Sequence, residues 1–570
     1  MGHDAHLVVH VRRGDGRAHE ALDVDAEEHG RRHDGLLGLP CLGLGRHVAA
    51  HGLGLREGAH EVLGVLLAHE RAGLHRRPAE EHDDGRGDLV GGRTLLALGD
   101  VDLHVDRGGL ERGGLEGDGV AHVGKPLVVV WHRRGVASRS MPQARIVSRT
   151  DAPVAIPLAS RVSPDALLAA VLHLDSPALV RHLGRTIVAA CPDEVATGAS
   201  VWDALRRPAA MAATAADPMA GGWIGLLADR LAGTVELLPG SPPDEAGPAA
   251  GAIARYPAVI VIDDGGRATL VARRPGPEAD ALMEAVHSRA GALPRVPPPG
   301  SDVRSSLPGA MYEAAVDRAR ELIRAGDVYQ VNIVQRLDAE WTAGPAALAR
   351  ALWGAAGPAP HRAYIDMPEG TVISASPERM VASDGLIAWS EPVKGTAAPG
   401  DFLALTTSTK DRAEHVMIVD LVRNDLGRVA EPGGVSVPSL MGPLVTAYAD
   451  HMVSRVSARL RPDVGPADVL RAGFPAGSVT GAPKVRALEV IREIEPVGRG
   501  PAFGSVVAVG TDGSLDASVT IRTAWVPRGV PRAQYWSGGA IVWDSHPVAE
   551  REEAWRKAAP FLAAIGSTAP

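Results

Sequence analysis

Apolar positions along this chain follow two periods. From Tyr312 to Ala325 (YEAAVDRARELIRA) they recur every three or four residues, which predicts a helix, and Gly326 follows as a residue suited to a left-handed C-terminus. Glu414 opens a second helical stretch whose apolar face would carry Met417, Ile418 and Leu421. Glu550 stands one helical turn before Glu553 in a third, acidic stretch. Elsewhere short apolar and β-branched runs predict strands. These are Ile260 to Asp263, a hairpin partner from Arg267 to Ala272 after an Asp-Gly-Gly turn, Val328 to Leu337, and Val519 to Thr523, which holds Arg522. Residues 153–300 read as mixed α and β structure, and Pro294 to Asp302 (PRVPPPGSD) reads as a linker. No apolar run nears the roughly 18–20 residues that span a bilayer. No internal repeat is visible.

Composition changes the picture near Met141. Residues 1–140 contain no Ile, Phe, Tyr, Asn or Gln, and Trp131 is their only aromatic residue. A globular domain needs large, shaped side chains to reach native packing density. An ordinary disordered tail would instead be rich in Ser, Pro, Gln, Lys and Glu. Such an alphabet is what a G+C-rich gene gives when translated upstream of its true start. Residues 1–140 are therefore expected to be a non-native or disordered extension, with the working protein beginning at Met141. The alternative is a genuine His-rich, metal-binding extension, but His29, His33 and His47 lack the fixed spacing of a metal site. From Met141 the alphabet is normal, and the linker divides the rest of the chain into 141–300 and 301–570.

Charge and cysteines narrow the class. A formal net charge of -9 speaks against a nucleic-acid binder, which shows a basic face or stripe. Cys41 and Cys191 lie far apart, with neither a disulfide framework nor a zinc spacing, so the cytoplasm is the default compartment and no membrane partner is expected. The first residues mix charges into their apolar stretch and do not form a secretory signal.

Motifs in the C-terminal part then carry a family resemblance. They are Gly326-Asp-Val-Tyr-Gln-Val-Asn-Ile333, Ser376-Pro-Glu378, Pro392-Val-Lys-Gly-Thr396, the stretch Glu414 to Asp425, Gly477-Ser-Val-Thr-Gly-Ala-Pro-Lys484, Ile521-Arg-Thr523, Gly538-Gly-Ala540 and Asp544 to Glu553. Together, and in this order, they resemble the anthranilate synthase and aminodeoxychorismate synthase family of chorismate-binding enzymes, over roughly Leu307 to Leu562. Weaker similarity reaches back through Gly221-Gly-Trp-Ile-Gly225. The resemblance implies an α+β fold in which two antiparallel sheets pack as a sandwich with helices outside.

The resemblance also implies a site. Glu414 and Glu553 would be ligands of Mg²⁺, helped by Glu550. A hard cation of this kind takes oxygen ligands and keeps room for a substrate carboxylate. Arg522 would hold the enolpyruvyl carboxylate, because a planar guanidinium matches a carboxylate in a two-pronged bond. Lys557 would add a second positive charge. Gly538, Gly539 and Ala540 would admit the substrate close to the backbone, with Gly395, Thr396, Gly481 and Ala482 lining the same pocket. Lys394 is the discriminating residue. The aminodeoxychorismate branch has Lys there and the anthranilate branch a small residue. An amine freed of its proton can attack a ring carbon, with Glu378 as general acid–base and His451 as a second candidate. Gln330 stands where the water-using cousins carry a Lys base, and a neutral amide cannot serve as that base.

Some positions depart from the family pattern. Ala502 replaces a substrate-touching Tyr, Glu391 a basic residue and Ala540 a Gly. Trp543 replaces a small residue and is expected to add bulk near the pocket. Val507-Ala508 stands where Gly-Tyr is usual. Gly38-Leu-Pro-Cys41-Leu-Gly43 faintly resembles the cysteine elbow of glutamine amidotransferases, but no strand–helix alternation surrounds it. Ammonia is therefore expected from a separate glutamine amidotransferase subunit or from solution. The expected reaction is amination of chorismate at C4 by component I of an aminodeoxychorismate synthase. Anthranilate synthase component I and a non-catalytic chorismate binder are the alternatives.

Overall fold

The structure is a computed structural model. It describes the chain from residue 153 onward, apart from 159–161, 207–216, 241, 243–249, 289–290, 398–399, 446–449 and 570. Upstream of 153 it describes only the strands Leu7–Arg12, Ala18–Asp23, Arg93–Leu98, Val101–Asp106, Gly119–Val123, Leu127–His132 and Gln143–Ser148, without their side chains, and the Cys41 segment lies outside the described residues.

The chain divides into two compact units, residues 1–162 with 266–280 and residues 163–265 with 281–570. In the first, strands Val154–Pro157 and Ala268–Ala272 pair antiparallel. The second holds every residue that the sequence singles out for chemistry, and its framework is two antiparallel sheets.

One sheet runs, in order of pairing, through Val303–Ser305, Gln330–Glu340, Arg532–Ile541, Thr523–Pro527, Gly370–Ser376, His361–Met367, Ala178–His182, Arg185–Ala189 and Ala258–Ile262. The other runs through Glu194–Thr197, Gly251–Tyr256, Gly222–Leu227, Ser505–Val509, Leu515–Val519, Arg379–Ser383, Ile387–Glu391, Asp450–Leu460 and Val393–Ala397. Strands from before and after the Pro-rich linker interleave. Ala178–His182 pairs with His361–Met367, and Gly222–Leu227 pairs with Ser505–Val509. The inner faces pack on each other: His182 Nε2 lies 3.0 Å from Ser514 Oγ, and the Leu183 N–H donates to Asp516 Oδ2 at 2.8 Å. Gly370–Ser376 and Leu515–Val519 are buried along their whole length. Such strands are covered on both faces, which is why their sequences lack a clean alternation.

Helices cover the outside. The helix Ala310–Ala325 ends at Gly326 (φ +85°), where the Gly326 N–H donates to Ile323 O and the Asp327 N–H to Leu322 O. Its Tyr312, Val316 and Leu322 pack with Val331 and Ile333 of the sheet, Leu488 and Ile491 of helix Lys484–Ile494, and Ala554 of helix Pro547–Ile565.

Three local expectations need correction. The Glu414 helix begins earlier, at Thr409, because the Ser408 hydroxyl caps the Asp411 N–H at 3.2 Å. Its fully buried stripe is His415, Ile418, Val419, Val422 and Leu426, whereas Met417 and Leu421 are half-buried. Arg522 is not inside a strand. One strand ends at Val519, the next begins at Thr523 in the other sheet, and the crossover between them holds Arg522 at φ +50°. Among the long-range elements, Val328 to Leu337 is realised as Gln330–Glu340.

Candidate active site

Lys394 sits on Val393–Ala397, opposite Met452 of Asp450–Leu460. Its side chain is partly buried, and Nζ donates to the carbonyl oxygen of Ser478 at 3.2 Å. Burial pushes this amine below the usual lysine range. Glu378 opposes that shift, Lys557 adds to it, and Glu414 and Glu553 oppose it. The acid–base candidate and two of the three proposed metal ligands therefore act on the amine of the nucleophile candidate.

Glu378 follows the buried strand Gly370–Ser376 and is 5% exposed. The Ser376 hydroxyl accepts its backbone N–H at 3.2 Å, and its carbonyl accepts the Val519 N–H at 3.1 Å. These bonds tie the residue to both sheets. Burial raises its carboxyl to about 6, against the opposing pull of Ser478, Lys394 and the Val393 N–H. His451, on the strand beside Lys394, donates from Nδ1 to Gly395 O at 2.9 Å. Burial lowers its pKa despite that bond, and the charge of Arg522 lowers it further. A neutral ring donating from Nδ1 presents Nε2 as an acceptor.

The three glutamates come from two helices. Burial raises Glu414, Lys394 and then Lys410 oppose the shift, and Glu550 adds to it as a like charge. Lys410 Nζ lies 4.0 Å from Glu414. Burial raises Glu550, the Ser545 hydroxyl donating at 2.7 Å restrains it, and Glu553 raises it again. Burial would raise Glu553 too, but Lys557 Nζ at 2.7 Å outweighs it and the carboxyl is lowered. Lys557 Nζ also donates to Gly538 O at 3.2 Å, joining the acidic helix to the glycine strand.

The glycines divide by what a side chain would meet. A Cβ on Gly539 would lie 3.1 Å from Glu550 Oε2, 3.8 Å from Glu553 Oε1 and 3.9 Å from Lys557 Nζ. Gly539 thus keeps the space before the acidic pair open. A Cβ on Gly538 would strike Ile333 O, and one on Gly481 would strike Gln330 O, so both permit close approach of backbone to backbone. Gly395 (φ +72°) packs under Leu405. Ala482 accepts the Tyr329 N–H, Ala540 pairs with Asn332, and Ala502 is buried. The side chain of Thr396 lies outside the described residues.

Among the described residues, no three His, Cys, Asp or Glu side chains lie close enough together to enclose a metal ion as placed. The donor chemistry and the cradle at Gly539 still fit a hard divalent cation. Glu414, Glu550 and Glu553 are linked by like-charge repulsion, and lysines supply their present counter-charge.

Two departures resolve locally. Trp543 does not fill the pocket: it is 58% exposed, with the Arg324 guanidinium 5.5 Å from its ring. Glu391 pairs with Arg379 and with Arg455, the latter at 3.6 Å. Gln330 is wholly buried, and neither atom of its amide has a hydrogen-bond partner among the described residues.

A profile described as chorismate binding enzyme matches residues 174–563. The chain belongs to the chorismate-binding enzyme family. Anthranilate synthase component 1 of Thermus thermophilus is 38% identical over 364 residues, which is 61% of this chain and 78% of that one. Aminodeoxychorismate synthase component 1 of Klebsiella aerogenes is 42% identical over 262 residues, 45% of this chain and 57% of that one. The crystal structure of anthranilate synthase component I from Streptococcus pneumoniae covers 68% of this chain and 90% of its own, with a TM-score of 0.56 and 27% identity. The two antiparallel sheets of this chorismate-binding enzyme match that fold. No described helix is long and apolar enough to cross a membrane.

Reading from residue types overlooked Ser478, Asn332, Arg499 and Lys410. Ser478 acts through its backbone carbonyl, which every residue has, and Asn332 and Arg499 act at a distance that only the fold closes; Lys410 stands one helical turn before Glu414, a spacing that the sequence does show.

Proposed function

We propose that this chorismate-binding enzyme is the chorismate-using component of an aminodeoxychorismate synthase, which takes ammonia from a separate glutaminase subunit. The observation that carries the reading is Lys394. Its amine is driven toward the neutral form by burial, beside a Glu378 carboxyl raised to about 6. A neutral amine beside a protonated carboxyl is the pair that nucleophilic substitution of a hydroxyl needs.

Arg522 and Lys557 would fix the two carboxylates of chorismate relative to Lys394. The neutral amine adds to a ring carbon as the ring double bonds shift and the C4–O bond breaks. Glu378 protonates the departing oxygen, which leaves as water. Ammonia then attacks C4, the double bonds shift back, and the bond to Nζ breaks to return the free lysine. The net change is chorismate plus ammonia to aminodeoxychorismate plus water. Mg²⁺ held by Glu414, Glu550 and Glu553 would neutralise the ring carboxylate and the charge that develops as the hydroxyl departs.

The test is a product assay with chorismate, Mg²⁺ and excess ammonia at mildly alkaline pH, with and without an aminodeoxychorismate lyase. p-Aminobenzoate that appears only with the lyase supports the reading. Anthranilate would assign the chain to the other branch. Chorismate binding without turnover, read by calorimetry, would make it a binder.

A further inference from the structure

The carbonyl oxygen of Ser478 has two donors. Lys394 Nζ reaches it at 3.2 Å and Asn332 Nδ2 at 2.9 Å. Ser478 is the middle residue of a single turn, Gly477–Val479, and a buried ion pair holds that turn in place. Arg499 donates from Nη1 to Val479 O at 2.9 Å and from Nη2 to Asn332 O at 3.0 Å. Two further donors go to Glu495, with Nε at 2.9 Å and Nη2 at 2.6 Å. Glu495 in turn accepts the Val334 N–H at 3.1 Å, and the Asn332 N–H donates to Thr480 O at 2.8 Å. Arg499 and Glu495 are 2% and 4% exposed. Desolvating a charge pair this completely is costly, and Arg and Glu persist inside a protein only when nearly every donor and acceptor is met. Here the donors are spent on two backbone segments, one on each side of the carbonyl that holds Lys394.

We propose that Asn332 and Arg499 are positioning residues for the amine of Lys394, acting through the carbonyl of Ser478. A neutral amine that donates one N–H to a fixed carbonyl has its lone pair restricted to the remaining directions. Where that carbonyl points therefore decides where the nucleophile points. Arg499 locks the turn to the strand, and Asn332 locks the carbonyl within the turn. The proposal rests on Lys394 being the nucleophile.

The test measures kcat and KM for chorismate in Asn332→Leu, which loses the amide donor at similar volume, and in Arg499→Lys, which keeps the charge beside Glu495 but loses the fork. Lys394→Ala is measured alongside. Misplacing a reacting group by about 1 Å costs on the order of 10²-fold. The expected result is a fall in kcat of about ten- to a hundredfold in both variants, with KM within about twofold of the wild type. Unchanged kcat in both, with Lys394→Ala inactive, would overturn the positioning role and leave the nucleophile intact. A raised KM at unchanged kcat would instead make Asn332 a substrate-binding residue. Loss of soluble protein in both variants would make the network a fold-holding one and also overturn the proposal. Wild-type turnover in Lys394→Ala would remove the nucleophile and, with it, the reason to orient it.

Discussion

Glu378 and Lys394 restrain each other. Burial drives both toward neutrality, while the amine holds the carboxyl down and the carboxyl holds the proton on the amine. Two groups whose surroundings push their protons in these directions are suited to exchange acid and base roles.

Lys394→Ala should abolish or divert aminodeoxychorismate formation, with kcat falling on the order of 10³-fold or more. Chorismate affinity should survive, because Arg522 and Lys557 remain. Steady-state kinetics and calorimetry on the same preparation check both halves, and a wild-type rate would sink the covalent mechanism.

Glu378→Gln should lower kcat by about 10²–10⁴-fold. The same change should stabilise the fold above neutral pH. A carboxyl raised to about 6 favours the folded state at acid pH, and that contribution is lost as pH rises through about 6. Removing the charge should recover about 2 kcal/mol at most at pH 8 and little at pH 4. Thermal melts at the two pH values decide it; equal effects at both would refute the titration.

Glu553→Ala should remove Mg²⁺-dependent turnover and weaken Mg²⁺ binding measured by calorimetry. Undiminished dependence on the metal would show that the acidic pair serves another purpose, such as pairing with Lys557.

Gly538→Ala and Gly539→Ala separate folding from chemistry. At Gly538 the new methyl meets the backbone of the neighbouring strand, and the mutant should lose about 1–3 kcal/mol of stability. At Gly539 it meets the ends of Glu550, Glu553 and Lys557, which can give way. That mutant should melt near the wild type and lose affinity for Mg²⁺ or chorismate. The reverse pattern would mean that the two glycines have been assigned to the wrong faces.

Much of the site was legible because its chemistry lies in side chains set in ordered motifs. Lys394, Glu378, Glu414, Glu550 and Glu553 lie near enough to act on one another's charge, which is what makes their proposed roles testable. The helix ending at Gly326 was legible because its apolar stripe and its C-terminal glycine agree. Arg522 was misplaced because Val-Thr-Ile-Arg-Thr has strand composition, and nothing local marks a crossover between sheets. Trp543 was misjudged because sequence proximity to the glycine strand does not say on which side a ring will lie. The Ser478 carbonyl and the Arg499–Glu495 pair were invisible because backbone acceptors and buried ion pairs carry no residue-type signature.

The interleaved sheets bear on how this chain is made. Gly222–Leu227 finds its neighbour in Ser505–Val509, and Ala178–His182 finds one in His361–Met367. Each of these early strands therefore leaves the ribosome with one edge bare until a partner far downstream is made. Contacts this far apart in sequence make for slow closure and a long period of vulnerability to aggregation. Cutting the gene at the Pro-rich linker would not release two working halves: each fragment would carry the raw edges that the other was built to cover.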